Sequence, residues 1–492
     1  MSDRPLSARL GATLVFATSA GVLVLEILAG RLLAPYAGVT LETFTAIIGT
    51  ILAGISLGAW AGGRIADRID PRLMLGPALV IGGALAMLTV PLVRILGPAL
   101  AGSSFGLVVL VAVAALPSAA VLSSVSPAVV KASLHDLTST GQVVGRLSAI
   151  GTAGAIVGSF LTGFVFVAQL PVSAIVLGVG AATVVAGIWL WVRYRGARGL
   201  AVTLVVAVIG AGGLLAIGGR CDVETKYYCA RVEVDPDRSS GRLLWLDTLQ
   251  HTYVDLDDPA HLEFRYTRLL ASAIEAYSTG PIDVVHIGGG GLSMPRWVDT
   301  TRPGSTSTVL EIDPGLVQIA RDELGYVDDP DIDIRVGDAR TGLAGIEPGS
   351  VDVVLGDAFG GIAVPWHLTT VEVVADIEAL LRPGGIYALN LIDRGAMAFA
   401  RAEMATLGQV FDSVIVIAPE DNLSSGGNVV VVAGNGPLPT DELAELAAGY
   451  GLSVEVLSGE DLQRYVGDSS VLTDEFAPVD QLFDQPGAPP SV

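Results

Sequence analysis

The chain has 492 residues, 51% hydrophobic and only 16% charged, with a formal net charge of −22. A chain this apolar is usually embedded in lipid and a chain this acidic is usually polar. Together the two exclude a single compact soluble domain, a disordered protein and a disulfide-rich scaffold. Residues 1–220 hold 13 Lys/Arg against 6 Asp/Glu, a balance of +7, and residues 221–492 hold 15 against 44, a balance of −29. The sequence is therefore read as a transmembrane helical domain, 1–220, followed by a small strand-rich domain, 221–258, and a larger α/β domain, 259–492. Nucleic acid is excluded as a partner, because a domain at −29 repels phosphate.

In chain order, apolar runs at 10–33, 41–63, 73–93, 104–126, 147–169, 172–192 and 199–218 predict about seven membrane spans. Each is about 20 residues, enough to cross roughly 30 Å of hydrocarbon. Arg4, Arg9, Arg64, Arg68, Arg72, Lys131, Arg146, Arg193, Arg195 and Arg198 fall on one side of this arrangement; Arg31, Arg94 and Arg220 fall on the other. The excess of positive charge places the N-terminus in the cytoplasm of a multi-pass cell-membrane protein. With an odd number of spans the C-terminal half emerges outside. Gly54, Gly58 and Gly62, and then Gly154 and Gly158, form small-residue ridges for helix packing. Glu26 is the acid inside a span, with Arg31 placed to pair with it. The stretch Gly63–Arg68 resembles the GxxxDR loop of major-facilitator transporters.

From residue 221 the pattern becomes strand and helix. Residues 222–256 read as strands and 260–277 as an amphipathic helix. A strand at 283–287 runs into Gly288-Gly289-Gly290-Gly291. A second, 307–310, ends in Glu311; a third, 332–336, leads to Asp338 and Ala339; a fourth, 351–355, leads to Asp357; a turn at 381–385 precedes a fifth at 386–391. This alternation predicts a parallel, Rossmann-like sheet with its ligand beyond the carboxyl ends of the strands. Glycines permit close approach of a ligand to the backbone. Acids ending the next three strands suit a nucleoside: Glu311 for the ribose hydroxyls, Asp338 for the adenine amino group. No Gly-Lys-Ser/Thr follows the glycines, so a P-loop is excluded. Cys221 and Cys229, eight apart, are read either as a disulfide suited to an extracytoplasmic domain or as two free thiols. Two thiols without a nearby histidine leave metal coordination incomplete, and no metal is expected.

These residues resemble spermidine synthases, the aminopropyltransferases that use decarboxylated S-adenosylmethionine. The whole chain is similar to membrane proteins in which such a methyltransferase-type domain follows a multi-span, facilitator-like segment. The resemblance is carried by Gly241–Asp247 with Gln250 after it, the glycine run, Leu310–Asp313, Gly337–Ala339, Asp357, Arg382–Gly385 and the tail Leu472–Val479. It implies that Gly288, Gly289, Gly290, Glu311, Asp338 and Ala339 hold the adenosyl part of decarboxylated S-adenosylmethionine or S-adenosylmethionine as co-substrate. It also implies that Asp357 accepts a proton, that Gln250 and Glu263 contact the substrate, and that the chain self-associates. Trp366 and His367 follow in the next loop, near the acceptor.

The departures from the family are one-sided. Gly291 and Gly360 stand where the family carries polyamine-binding aspartates, His261-Leu262-Glu263 replaces Tyr-His-Glu, and Tyr228 stands at a family Gln. A buried cation needs carboxylates in place of its lost water, so an amine acceptor is expected but putrescine is disfavoured. Two other readings stay open: an S-adenosylmethionine-dependent methyltransferase, and a non-catalytic polyamine- or nucleoside-binding or transport-coupled membrane protein.

Overall fold

The computed structural model describes residues 6–37, 40–101, 103–134, 140–195, 208, 212–213, 221–361 and 363–483. The chain divides into two compact units, Met1–Arg220 and Cys221–Val492.

The first unit is helical: α1 (Ala8–Ala37), α2 (Leu41–Arg68), α3 (Pro71–Leu100), α4 (Ser104–Ala114), α5 (Leu116–Ser123), α6 (Val125–Ser133), α7 (Thr140–Leu161) and α8 (Val172–Arg195). Five stretches are long and apolar enough to span a membrane, and α4 with α5–α6, bent by 42°, makes six at most among the described residues. The expected seventh, 199–218, lies almost wholly outside the described residues. The expected span 104–126 is broken because Pro117 and Pro127 each remove a backbone donor and crowd the preceding turn. Helix α7 starts at Thr140, seven residues before the apolar run, since a helix continues into polar sequence once its hydrogen-bond ladder has formed.

Packing between these helices is backbone against backbone. A Cβ on Gly54 would lie 3.0 Å from the Leu116 carbonyl oxygen, one on Gly58 2.7 Å from the Ala120 carbonyl carbon, and one on Gly62 2.7 Å from Ser124 Cα. Gly154 and Gly158 bear in the same way on Phe16 and Ala20 of α1. Between α3 and α8 the glycines are reciprocal, Gly83 against Gly180 and Gly76 against Gly187. The contrast within α2 gives a test. Gly49 has nothing within 4 Å of where its Cβ would stand. Gly58→Ala should lower stability in detergent by about 1–3 kcal/mol through overpacking. Gly49→Ala should be neutral or stabilising by up to about 1 kcal/mol, because alanine is the better helix former. Equal melting temperatures for the two variants would remove close approach as the basis of this packing.

The second unit begins with a four-stranded antiparallel sheet, β1 (Val223–Glu224), β2 (Cys229–Val234), β3 (Gly241–Leu246) and β4 (Leu249–Asp255), paired in sequence order. Cys221 and Cys229 are joined by a disulfide across the β1–β2 hairpin. An eight-stranded sheet follows: β5 (Asp283–Ile287), β6 (Thr306–Glu311), β7 (Ile332–Val336), β8 (Val351–Gly356), β9 (Leu381–Arg394), β10 (Ser413–Pro419), β11 (Gly426–Gly434) and β12 (Val454–Ser458). Its order is β12-β10-β11-β9-β8-β5-β6-β7. The strands β7-β6-β5-β8-β9 are parallel and β10, β11 and β12 antiparallel. The chain steps from β5 through β6 to β7 on one side and from β8 to β9 on the other. The Rossmann-like crevice therefore opens beside β5, past its carboxyl end. The core strands read as continuous apolar runs, with Val353, Val354, Val430 and Val431 fully buried, because helices cover both faces. Arg382 extends the start of β9 beyond the expected strand by bonding Asp283 and Asp352, each at 2.6 Å.

Candidate functional site

The loop after β5 turns by means of positive φ at Gly288 (94°) and Gly290 (50°), angles that residues with a Cβ rarely adopt. A Cβ on Gly288 would stand 2.9 Å from the Asp357 carbonyl carbon, so the loop is seated directly on the end of β8. At the end of β6 the Glu311 carboxylate is gripped by that loop. Its Oε2 accepts from the amides of Gly289 (2.8 Å) and Gly290 (3.0 Å), and its Oε1 from the amide of Asp313 (2.8 Å). Burial pushes the Glu311 carboxyl up and the three amides hold it down. Three of its roughly four lone-pair directions are filled. The carboxylate is thus fixed in orientation at the edge of the cavity.

Asp357 follows β8, its amide donating to the Ile287 carbonyl at 2.9 Å. Its carboxylate accepts from Asn390 Nδ2 at 2.9 Å and from the Tyr266 hydroxyl. Asn390, on β9, accepts in turn from Asn428 of β11 at 3.0 Å. Burial of the Asp357 carboxylate pushes it up to about 6, with the Asn390 and Tyr266 bonds opposing. A carboxylate held near 6 is deprotonated at neutral pH and still basic enough to take a proton. Asp338 follows β7, and its Oδ2 lies 2.8 Å from His367 Nε2, while its Oδ1 caps the next helix at the Thr341 amide.

Gly288, Gly290, Glu311, Asp338, Ala339 and Asp357 line one cavity of about 70 Å3, and Gly289 borders it through Glu311. Its walls also include Tyr228, which stands at a family Gln, and His251, Phe359 and Pro365, which were not singled out as site residues from the sequence. Tyr228 donates its hydroxyl to the Phe359 carbonyl at 2.9 Å, and His251 is pushed down to about 4 by burial, leaving a neutral imidazole. His367 also lines the cavity and gains Asp338 as a partner, whereas Trp366 is 51% exposed.

Gln250 and Glu263 are not brought to this cavity. Both line a separate cleft of about 460 Å3 with Glu233, Asp235, Arg265 and Arg268. Adjacent strand residues point to opposite faces, so when β4 turns His251 towards Gly290, Gln250 faces the other way. Gly291 is packed tightly: a Cβ there would lie 2.7 Å from Thr252 Cγ2 and 2.9 Å from Leu324 Cδ1, leaving no room for an aspartate. Elsewhere, carboxylate oxygens of Asp299, Asp329 and Asp331 lie within 4.8 Å of one another at the surface, away from the cavity.

No protein-family model matches the chain. It is 28% identical over 189 residues to the polyamine aminopropyltransferase of Chromobacterium violaceum, covering 38% of this chain and 69% of that protein. It is 26% identical over 243 residues to the polyamine aminopropyltransferase of Vibrio vulnificus, covering 47% and 79%. Among solved structures, a probable spermidine synthase from Corynebacterium glutamicum aligns at 26% identity over 52% of this chain and 97% of its own, with a TM-score of 0.49.

The Asp357 environment yields a titration test. Asn390→Ala removes a donor to the charged form, so the Asp357 carboxyl should titrate about one pH unit higher than its starting value. Carboxyl-carbon NMR on selectively labelled protein reads this directly. An unchanged or lower midpoint contradicts the role assigned to Asn390. Part of this chain is similar in sequence to polyamine aminopropyltransferases.

Proposed function

We propose that the protein is a membrane-anchored, spermidine synthase-like transferase whose α/β domain binds decarboxylated S-adenosylmethionine and passes its aminopropyl group to an amine. The observation that carries the reading is Asp357: a carboxylate poised at about 6, beside a glycine loop and an oriented glutamate at the ends of neighbouring strands. Glu311 would bind the ribose hydroxyls and Asp338 the adenine amino group, with His367 releasing it. In the reaction the acceptor nitrogen attacks the methylene carbon bound to sulfur. The C–N bond forms as the C–S bond breaks, the electron pair passes to sulfur to leave a neutral thioether, and Asp357 takes the proton from nitrogen. Catalysis then rests on positioning and general-base help.

The acceptor is read as carrying one amine rather than two. Glu311 is engaged by amides and Asp338 by His367, so Asp357 is left for a cation. The packing around Gly291 leaves no place for a second carboxylate. A distal ammonium buried without a partner is strongly unfavourable. The same feature supports S-adenosylmethionine-dependent methyl transfer as the second reading.

Calorimetry and turnover on the full chain in detergent separate these. Tighter binding of the decarboxylated sulfonium, and release of methylthioadenosine with monoamines faster than with putrescine, are expected. Preference for S-adenosylmethionine selects methyl transfer, and binding of neither removes both. Asp357→Asn should cut turnover by roughly 10²–10⁴-fold with little change in sulfonium affinity; full turnover in that variant excludes the proton-acceptor role.

The disulfide favours an oxidising, extracytoplasmic setting for the α/β domain. That setting needs an odd number of crossings, which the run 199–218 would complete. Cys221 and Cys229 in intact cells should resist thiol labelling until an impermeant reductant is added and label thereafter. Labelling that appears only after lysis, with or without reductant, reverses the assignment.

A further inference from the structure

The cavity beneath Tyr228 is smaller than the ligand proposed for it. At about 70 Å3 it is several-fold smaller than sites for small organic ligands, which run to about 300–1,000 Å3. One wall must move, and the two candidate walls are held differently. On the Asp338 side, His367 is fixed twice over: its Nε2 lies 2.8 Å from Asp338 Oδ2, and Arg340, itself paired with Asp474, donates to its carbonyl at 3.2 Å. On the other side stands the β1–β2 hairpin: its ladder has two cross-strand residue pairs, Val223 with Ala230 and Glu224 with Cys229, and its turn is closed by the Thr225 amide on the Tyr228 carbonyl at 2.8 Å and the Tyr228 amide on the Thr225 hydroxyl at 2.9 Å. A ladder that short is marginal by itself.

From these observations we infer that Tyr228, carried on the disulfide-closed hairpin, is the latch that controls access to the Glu311–Asp357 cavity, and that reducing Cys221–Cys229 releases it. Tyr228 directly precedes Cys229, so the disulfide restrains the backbone that aims its ring. Its hydroxyl reaches across the cavity to the Phe359 carbonyl, two residues beyond Asp357. Burial and the nearby Glu311 carboxylate push the phenol up, so it remains a donor across the physiological range. At its turn the hairpin is moored by the Thr225 hydroxyl on the Asp313 carboxylate, and at Cys229 by its amide on Asp247 at 3.0 Å. These bonds give it a pivot, while Tyr228 alone among its side chains lines the cavity. Cutting the disulfide restores conformational freedom to the chain between residues 221 and 229. The fraction of time spent unlatched then rises, and the entry rate of a ligand scales with that fraction.

The inference relies on the proposed function only for the identity of the ligand, because access to the cavity is measurable without one. Hydrogen exchange on the full chain in detergent is followed at the Gly289 and Gly290 amides, which face the cavity through Glu311. Reduction should speed their exchange several-fold. Cys221→Ser/Cys229→Ser should reproduce the faster rate without reductant, while the amides of β8 and β9 keep theirs, as a check that the domain is folded. Tyr228→Phe should already exchange fast and gain little more on reduction. Unchanged exchange after reduction, or the same acceleration in Tyr228→Phe as in the parent, overturns the latch. With methylthioadenosine as probe, the association rate should rise in parallel. If it binds in neither redox state, the adenosyl reading fails while the exchange result still decides the latch.

Discussion

Both units depend on backbone brought closer to its neighbour than any Cβ allows. In the helical unit, Gly58 and Gly62 let α2 settle on the carbonyl and Cα atoms of α5 and its junction with α6. This contact is van der Waals packing at short range. In the α/β unit the same freedom has a chemical use. Gly288 sits on the backbone of Asp357, and the amides that follow it turn onto Glu311. The loop thereby locks the ends of β5, β6 and β8 into one constellation. Substituents at these glycines would separate the groups that the proposed chemistry needs together.

How far the sequence could be read follows from the range of each interaction. The long apolar helices were legible because hydropathy is local and additive; their ends were not, because helices such as α7 run past the apolar window. The order of acids along the parallel strands was legible because each follows its own strand directly. The remaining walls depend on register between distant segments. Asn390 reaches Asp357 only because β9 lies beside β8, and His251 rather than Gln250 faces the loop because of the alternation of β4. A pairing irregularity between Leu244 and Trp245 alters the register of that edge, and such bulges are invisible to alternation counts. His286 shows the converse. It lies in the strand before the glycines, yet it is buried against Ser307 at 3.1 Å and pushed down to about 3, a neutral structural side chain.

The strong acidity of the second unit says little about its site; what distinguishes each buried acid is the set of donors around it. Glu403 is fully buried with neither carboxylate oxygen paired among the described residues, and burial drives it well above the ordinary range. Asp255 is also buried, but the amides of Asp257 and Asp258 and the Arg238 guanidinium outweigh burial and bring it down to about 2. It is a permanent anion that fastens a turn. Asp357 lies between them, with burial opposed by two neutral donors, an amide and a phenol. Fewer or weaker donors would leave it protonated and unable to accept; an arginine or several amides would hold it charged but make it too weak a base. A group that must exchange a proton near neutrality needs this intermediate balance, which depends on Asn390 and Tyr266 more than on the −29 surrounding them.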